Sequence, residues 1–265
     1  APVLLESLKR DSQLYARISN PEGWTCQAYE VPARESLNAL NLFGVRQPRP
    51  FLLALLRAYQ EGSLRVARLK AVLRAIESYH FISTAVVGIS STGGVSMMYA
   101  AHARDISSAK TPKPIHDSID SLVSKLKNKV SNRETFISEF GNAMYFSNER
   151  TDAKRLVQYT LRSLQDYSVR GIAFDHARCN IEHLSPQSDP KPWTASIGNL
   201  LWIDKDLNDR LGAKDFKAKR DILATRRTTY DLDDILAAED WGQEEVVLRS
   251  HRLAELSYDK VWRIS

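Results

Sequence analysis

The feature that most constrains the fold is a change of hydrophobic period late in the chain. From Phe51 to Leu164 apolar residues recur at steps of three and four, the spacing that lines one side of an α-helix. Phe51, Leu52, Leu55, Leu56 and Tyr59 make one such face; Gly62-Ser63 breaks it, and Leu64, Leu69, Val72, Leu73 and Ile76 resume it. After a breaker at Lys110 to Pro114, Asp117 reads as the cap of a helix carrying Ile119, Leu122, Val123, Leu126 and Val130. Ser131-Asn132-Arg133-Glu134 reads as a capping box for a helix with Phe136, Ile137 and Phe140, and Ala153 to Asp166 as one more helix. The pattern then switches. One β-prone run ends at His183 and another spans Leu200 to Ile203, with a loop rich in Pro, Ser and Asp between them and a polar helix start at Asp204. The expectation is a mostly α fold: a helical bundle or array over 50–166, then a β-hairpin plus helices over 167–265. Residues 1–49 read as a lead-in segment, with a turn at Asn20-Pro21-Glu22-Gly23 and a short strand within Trp24 to Val31.

Composition narrows the function classes. The chain has 265 residues, 43% hydrophobic and 26% charged, which supports one large core or two modest ones and gives no sign of disorder. Net charge is +5 and the isoelectric point about 9.1, mild for a nucleic-acid binder, so the placement of charge matters more than its sum. Cys26 and Cys179 make neither a disulfide framework nor a zinc knuckle and fit a reducing cytoplasm. There is no apolar run of about 18 residues and no basic-apolar leader, so neither a membrane span nor secretion is expected. The sequence opens without Met and reads as a piece of something longer. No GxxxxGK loop occurs; Gly88, Gly93 and Gly94 in Val86 to Met98 lack the lysine and preceding strand of a phosphate cradle and read as a helix-to-helix loop. His80, His102 and His116 have no acidic partners at ligand spacing and read as structural or exposed; His176, just before the motif strand, and His251 are the other imidazoles.

The stretch from Asn180 to Asn208 carries the chemistry. Glu182, His183, Asn199 and Asn208 combine one imidazole with oxygen donors, the set a phosphodiesterase with a single hard cation needs. His183 is the natural general base, neutral near cellular pH. Asn199 either hydrogen-bonds the loop carrying that base or is, with Gly198, a turn dipeptide. Asn208 offers a carbonyl oxygen to Mg²⁺ from a helix or is only a poor helix former. Neighbours in a regular strand point to opposite faces, so Glu182 and His183 share a site only where the strand has ended or bulged. Pro186, close behind, suits an ending.

The ordered pairs Glu182-His183 and Asn199-Leu200, then Asn208 on the following helix, resemble the His-Me finger nucleases, also called HNH or ββα-metal. The variant EHLSPQ…W…IGNL…LN…F..KR resembles the C-terminal nuclease half of the GmrSD-type modification-dependent restriction enzymes, a group with phosphorothioate-sensing defence proteins among its members. The resemblance runs from Tyr159 to Trp262. It implies a small ββα-metal core holding Mg²⁺ or another divalent cation such as Mn²⁺. His183, Asn199 and Asn208 would be catalytic, and Asn208 and Glu182 metal ligands. Glu182, longer than the usual Asp, is alternatively a support behind the ligands. Gln187 would orient the loop or touch phosphate. It implies a metal-dependent DNA endonuclease, a nickase leaving 5′-phosphate and 3′-hydroxyl ends. That activity would be the effector half of a bacterial anti-phage protein. The implied partners are double-stranded DNA and a nucleotide-hydrolysing, modification-sensing N-terminal module outside this sequence.

Lys214 to Arg227 holds six basic and two acidic residues, and Thr228 to Ser265 nine acidic and four basic. Lys217, Lys219 and Arg220 are therefore the expected contacts to the DNA backbone. The other reading is a solvated amphipathic helix with Phe216 and Ile222 inward, as Lys125, Lys127 and Lys129 also suggest for theirs. The alternative function is a non-catalytic DNA- or partner-binding helical module.

Overall fold

The computed structural model describes residues 2–90, 93–169, 171, 174–188 and 190–264. They divide into two compact units, one running through Ser131 and including Ile264, the other Asn132–Arg263. The division falls at Ser131, not at residue 166, because the first two helices after Ser131 pack within the second unit, one on the helix Gln243–Leu256 and the other on the strand Leu200–Asp204.

In the first unit, α1 (Pro2–Ser19), α2 (Val31–Leu42), α3 (Arg49–Gln60), α4 (Val66–His80), α5 (Gly93–Ser108) and α6 (Pro112–Lys129) enclose one apolar core. The lead-in is part of that core. Leu14, Ile18, Trp24, Leu37 and Leu40 are buried in it, and Trp24 to Val31 holds a 3-10 turn at Ala28–Glu30 instead of a strand. Two further expectations shift. Gly93 opens α5, where Val95, Met98 and Tyr99 are buried at three- and four-residue steps, so the expected loop is shorter; Ser91 and Thr92 lie outside the described residues. Thr111 stands at the N-cap position of α6 and Asp117 lies inside it, because prolines at 112 and 114 fit a first turn whose N–H groups have no helical partner. His80 and His102 are buried and structural. His80 bonds Thr84 and Tyr99, at 3.0 and 3.1 Å. His102 accepts from the Lys125 ammonium at 3.0 Å and meets Ser118 at 2.9 Å.

The second unit holds α7 (Arg133–Ala143), α8 (Lys154–Ser168), β1 (Cys179–His183), β2 (Leu200–Asp204), α9 (Lys205–Leu211), α10 (Phe216–Ala224), α11 (Asp233–Ala237) and α12 (Gln243–Leu256). Asn132, not Ser131, caps α7, its side chain accepting from Thr135 N at 2.8 Å. The strands pair antiparallel, with His183 opposite Leu200, Glu182 opposite Leu201 and Asn180 opposite Ile203. Side chains alternate along a strand, so Asn180, Glu182, Leu201 and Ile203 share one face and Ile181, His183, Leu200 and Trp202 the other. The first face meets Leu207 and Leu211 of α9 and Leu223 of α10 in a common core. Because α8 packs on β2 as well, Leu200 to Ile203 are buried on both faces, which explains why that run is continuously apolar.

Candidate active site

His183 is the last residue of β1, and Leu184 N beyond it still donates to Asn199 O at 3.0 Å. The Nε2 of His183 lies 2.9 Å from the carbonyl oxygen of Phe146, and a carbonyl can only accept, so Nε2 carries the proton and Nδ1 keeps its lone pair. Gln187 Nε2 approaches that Nδ1 at 3.3 Å, while its own Oε1 accepts from Asn148 N at 2.6 Å. Phe146 is itself fixed: its N–H donates to Ala195 O at 2.7 Å, Met144 O accepts from Ile197 N at 3.0 Å, and its ring packs against the imidazole at 5.7 Å between centroids. Burial holds the His183 pKa below its ordinary 6.5; the bond to Phe146 works against that, and the positive charge of Lys219 adds to it. The result is a neutral imidazole with one designated basic nitrogen.

Asn199 is fully buried and uses both ends of its amide. Oδ1 accepts from Ser185 N at 2.8 Å and Trp241 Nε1 at 3.1 Å; Nδ2 donates to Ser185 O at 3.1 Å and Thr194 O at 2.8 Å. It therefore clasps the start and end of the loop that follows His183. Gly198 before it is required by close approach: a Cβ there would lie 2.0 Å from Val246 O of α12. Arg249 of the same helix, buried, donates to Gly198 O at 2.7 Å and Leu200 O at 2.9 Å.

The remaining candidates fall elsewhere. Regular pairing runs through His183, so the strand has neither ended nor bulged before it, and Glu182 points to the opposite face. There its carboxylate is buried and meets Lys219 Nζ at 2.6 Å; the same ammonium donates to His183 O at 2.6 Å. Lys219 is 1% exposed, which removes it from any DNA-contacting surface, and it commits the Glu182 carboxylate that was expected to hold metal. Burial pushes the Glu182 carboxyl up, against the pull of Lys219; at 2.6 Å the ion pair is the state the geometry favours. Asn208 Nδ2 donates to Asn180 Oδ1 at 2.8 Å and Ile181 O at 3.2 Å, tying α9 to the Asn180 face rather than to the side of the His183 ring. Arg220 donates to Ala238 O at 2.5 Å. Only Lys217 of the three expected phosphate contacts is exposed. His176 is also spoken for, accepting from Trp202 Nε1 at 3.0 Å and meeting Asp166 at 2.8 Å. Among the described residues no three His, Cys, Asp or Glu side chains gather as a metal-holding group.

The part that sequence reasoning missed is the segment from Tyr145 to Lys154. Its key group is a main-chain carbonyl, which carries no side-chain signature. Exposed cations sit on its rings, Arg150 at 3.8 Å from the Tyr145 centroid and Lys154 Nζ at 5.2 Å from that of Phe146.

Residues 134–256 match the family model described as GmrSD restriction endonucleases, C-terminal domain. The match lies inside the second unit and begins upstream of Tyr159, taking in α7 and the Phe146 segment. It supports a nuclease of restriction-endonuclease type for this part of the chain. Neither the curated proteins nor the solved structures compared with the chain gave a match.

Proposed function

We propose that the second unit is a DNA endonuclease of the His-Me finger kind in which His183 is the general base. The observation that carries this reading is the bond from His183 Nε2–H to Phe146 O, within a region similar to restriction endonuclease C-terminal domains. That bond assigns the proton and leaves Nδ1 as acceptor. The Gln187 contact at 3.3 Å is long for a hydrogen bond and readily exchanged for water. Water bound there gives a proton to Nδ1 as its oxygen attacks phosphorus; the P–O3′ bond breaks, and the 3′ oxygen leaves and takes a proton from solvent. The products are a 5′-phosphate and a 3′-hydroxyl, and a single finger nicks one strand. Asn199 acts by holding the loop, and Lys217, Arg150 and Lys154 by neutralising neighbouring phosphates.

Mg²⁺ or Mn²⁺, which the resemblance implies, finds a poor fit in the residues present. Glu182 is paired with Lys219, and Asn208 has one amide oxygen left to give. A hard cation wants oxygen ligands in number, usually including a carboxylate, and these two side chains do not supply them. The same poor fit, with His183 only 5% exposed, favours the second reading, a finger that docks DNA without cutting. The effector role in defence and a sensing module elsewhere in the protein belong to the first reading and rest on the family likeness.

The separating experiment is conversion of supercoiled plasmid to open circles by the parent and by His183→Ala, each with Mg²⁺, with Mn²⁺ and with chelator. Nicking by the parent and its loss in the variant is the expected result. Bound but intact plasmid under all three conditions favours the docking module, and an equally active His183→Ala overturns the assignment of the base.

A further inference from the structure

We propose that Lys219 is a positioning residue, whose buried ammonium, held by the Glu182 carboxylate and the His183 carbonyl, locks the end of β1 and thereby aims the His183 ring. The inference rests on His183 being the base. Its starting point is a spacing: on α10, Phe216, Lys219 and Leu223 lie three and four residues apart, on one face. Phe216 stacks on Trp241 at 5.2 Å between centroids and Leu223 is fully buried, so the middle residue of an inward face is a lysine. An ammonium taken out of water is costly unless charge and hydrogen bonds compensate it. Both compensations come from adjacent residues of β1, at 2.6 Å each.

The two contacts act on different parts of the strand. Glu182 is gripped by its side chain and His183 by its main chain, whose carbonyl faces away from β2 because the next pair, Leu184 N to Asn199 O at 3.0 Å, is the hydrogen-bonded one. Fixing that carbonyl fixes the peptide plane after His183 and so limits the torsions from which its side chain departs. Phe146 then needs to meet a ring already aimed at it. An apolar residue at 219 would fill the same space and hold neither group.

The test is the double variant Glu182→Met, Lys219→Met, which removes both charges together and keeps volume, since a buried pair replaced by apolar residues of similar size is often tolerated without loss of stability. Positioning predicts a folded protein with plasmid affinity and KM near the parent's and a kcat at least tenfold lower. It also predicts that the imidazole ¹⁵N signals of His183, read by NMR without DNA, move from a single Nε2–H tautomer to a mixture. Parent-like kcat with parent-like ¹⁵N signals in a folded double variant overturns the proposal. If the double variant does not fold, the same NMR comparison is made on Glu182→Gln alone. There the Lys219 bond to the His183 carbonyl survives, so a retained single tautomer is expected and a mixture overturns the role given to that bond. Because the NMR readout needs no activity, failure of the nuclease reading would show separately, as a parent that does not nick.

Discussion

The imidazole of His183 and the carbonyl of Phe146, 37 residues apart in sequence, meet at 2.9 Å. This contact decides which ring nitrogen is basic, and burial decides when it is free to act. Burial is the largest influence on the His183 pKa and lowers it; the Lys219 charge lowers it further, and the Phe146 bond only partly offsets them. Lowering the pKa of a histidine extends its neutral form to more acidic pH. The nicking rate under kcat/KM conditions should therefore fall on acidification with its midpoint below 6.5, the ordinary histidine value. A pH–rate series from 4.5 to 8 checks this, and a fall centred above 6.5 would contradict the buried environment.

Asn199 makes four hydrogen bonds from a position with no solvent access. Asn199→Ala leaves two loop carbonyls, one loop N–H and the Trp241 indole N–H to find other partners. Each unsatisfied buried group costs about 1–3 kcal/mol, so a loss of about 3 kcal/mol or more is expected, with loss of nicking as the loop frees His183. Asn199→Asp is the sharper variant, because it turns an acceptor toward Ser185 O and Thr194 O where a donor stood. It should be at least as damaging as alanine at neutral pH. Urea denaturation of both variants is the measurement, and a parent-like midpoint for Asn199→Asp would deny the clasp.

What could be read in advance follows from where each signal resides. The end of β1 at His183, the start of the next helix at Asp204 and the bond from Asn199 to its loop are written in residue types, because β-prone runs, caps and short amides declare themselves. The first helix is obscured because Leu4, Leu5 and Leu8 are exposed, which blurs the apolar stripe. Charge alone points Lys219 outward, whereas its three- and four-residue spacing to Phe216 and Leu223 is that of the inward face. Phe146 had no sequence signal to give, since its contribution is a carbonyl brought in from a distant segment.

In the first unit, His80 predicts a pH-dependent stability unrelated to DNA. Burial lowers its pKa to about 4. An unfolded histidine takes up its proton near 6.5, so between those values the unfolded state binds more protons and folding weakens as pH falls. Stability is complete above 6.5, declines below it and levels off under about 4, the total change being about 3 kcal/mol. His80→Gln, which can still bond Thr84 or Tyr99, should remove most of that decline. Urea midpoints at pH 7, 5.5 and 4.5 for parent and variant test it, and parallel declines would assign the effect to other groups.

The last prediction separates the cations that can reach phosphate from those that cannot. Lys217, Arg150 and Lys154 are exposed, whereas Lys219 is buried and Arg220 donates to Ala238 O. A side chain that neutralises a phosphate releases a counterion, so its loss makes the log-affinity against log-salt slope shallower by roughly 0.9. Arg150 and Lys154 lie on the rings of Tyr145 and Phe146, and the Phe146 ring touches the His183 imidazole. Their joint replacement by alanine should change the slope by roughly twice that value. Lys217→Ala should change it by no more than one contact. Arg220→Ala should leave the slope unchanged and lower the melting temperature instead, because it frees a helix-end carbonyl from its donor. Affinity for a fixed duplex across a salt series, with circular dichroism on each variant, gives all three comparisons. A slope that responds to Arg220 and not to Arg150 with Lys154 would put the DNA on α10 and away from the side of His183 that Phe146 occupies.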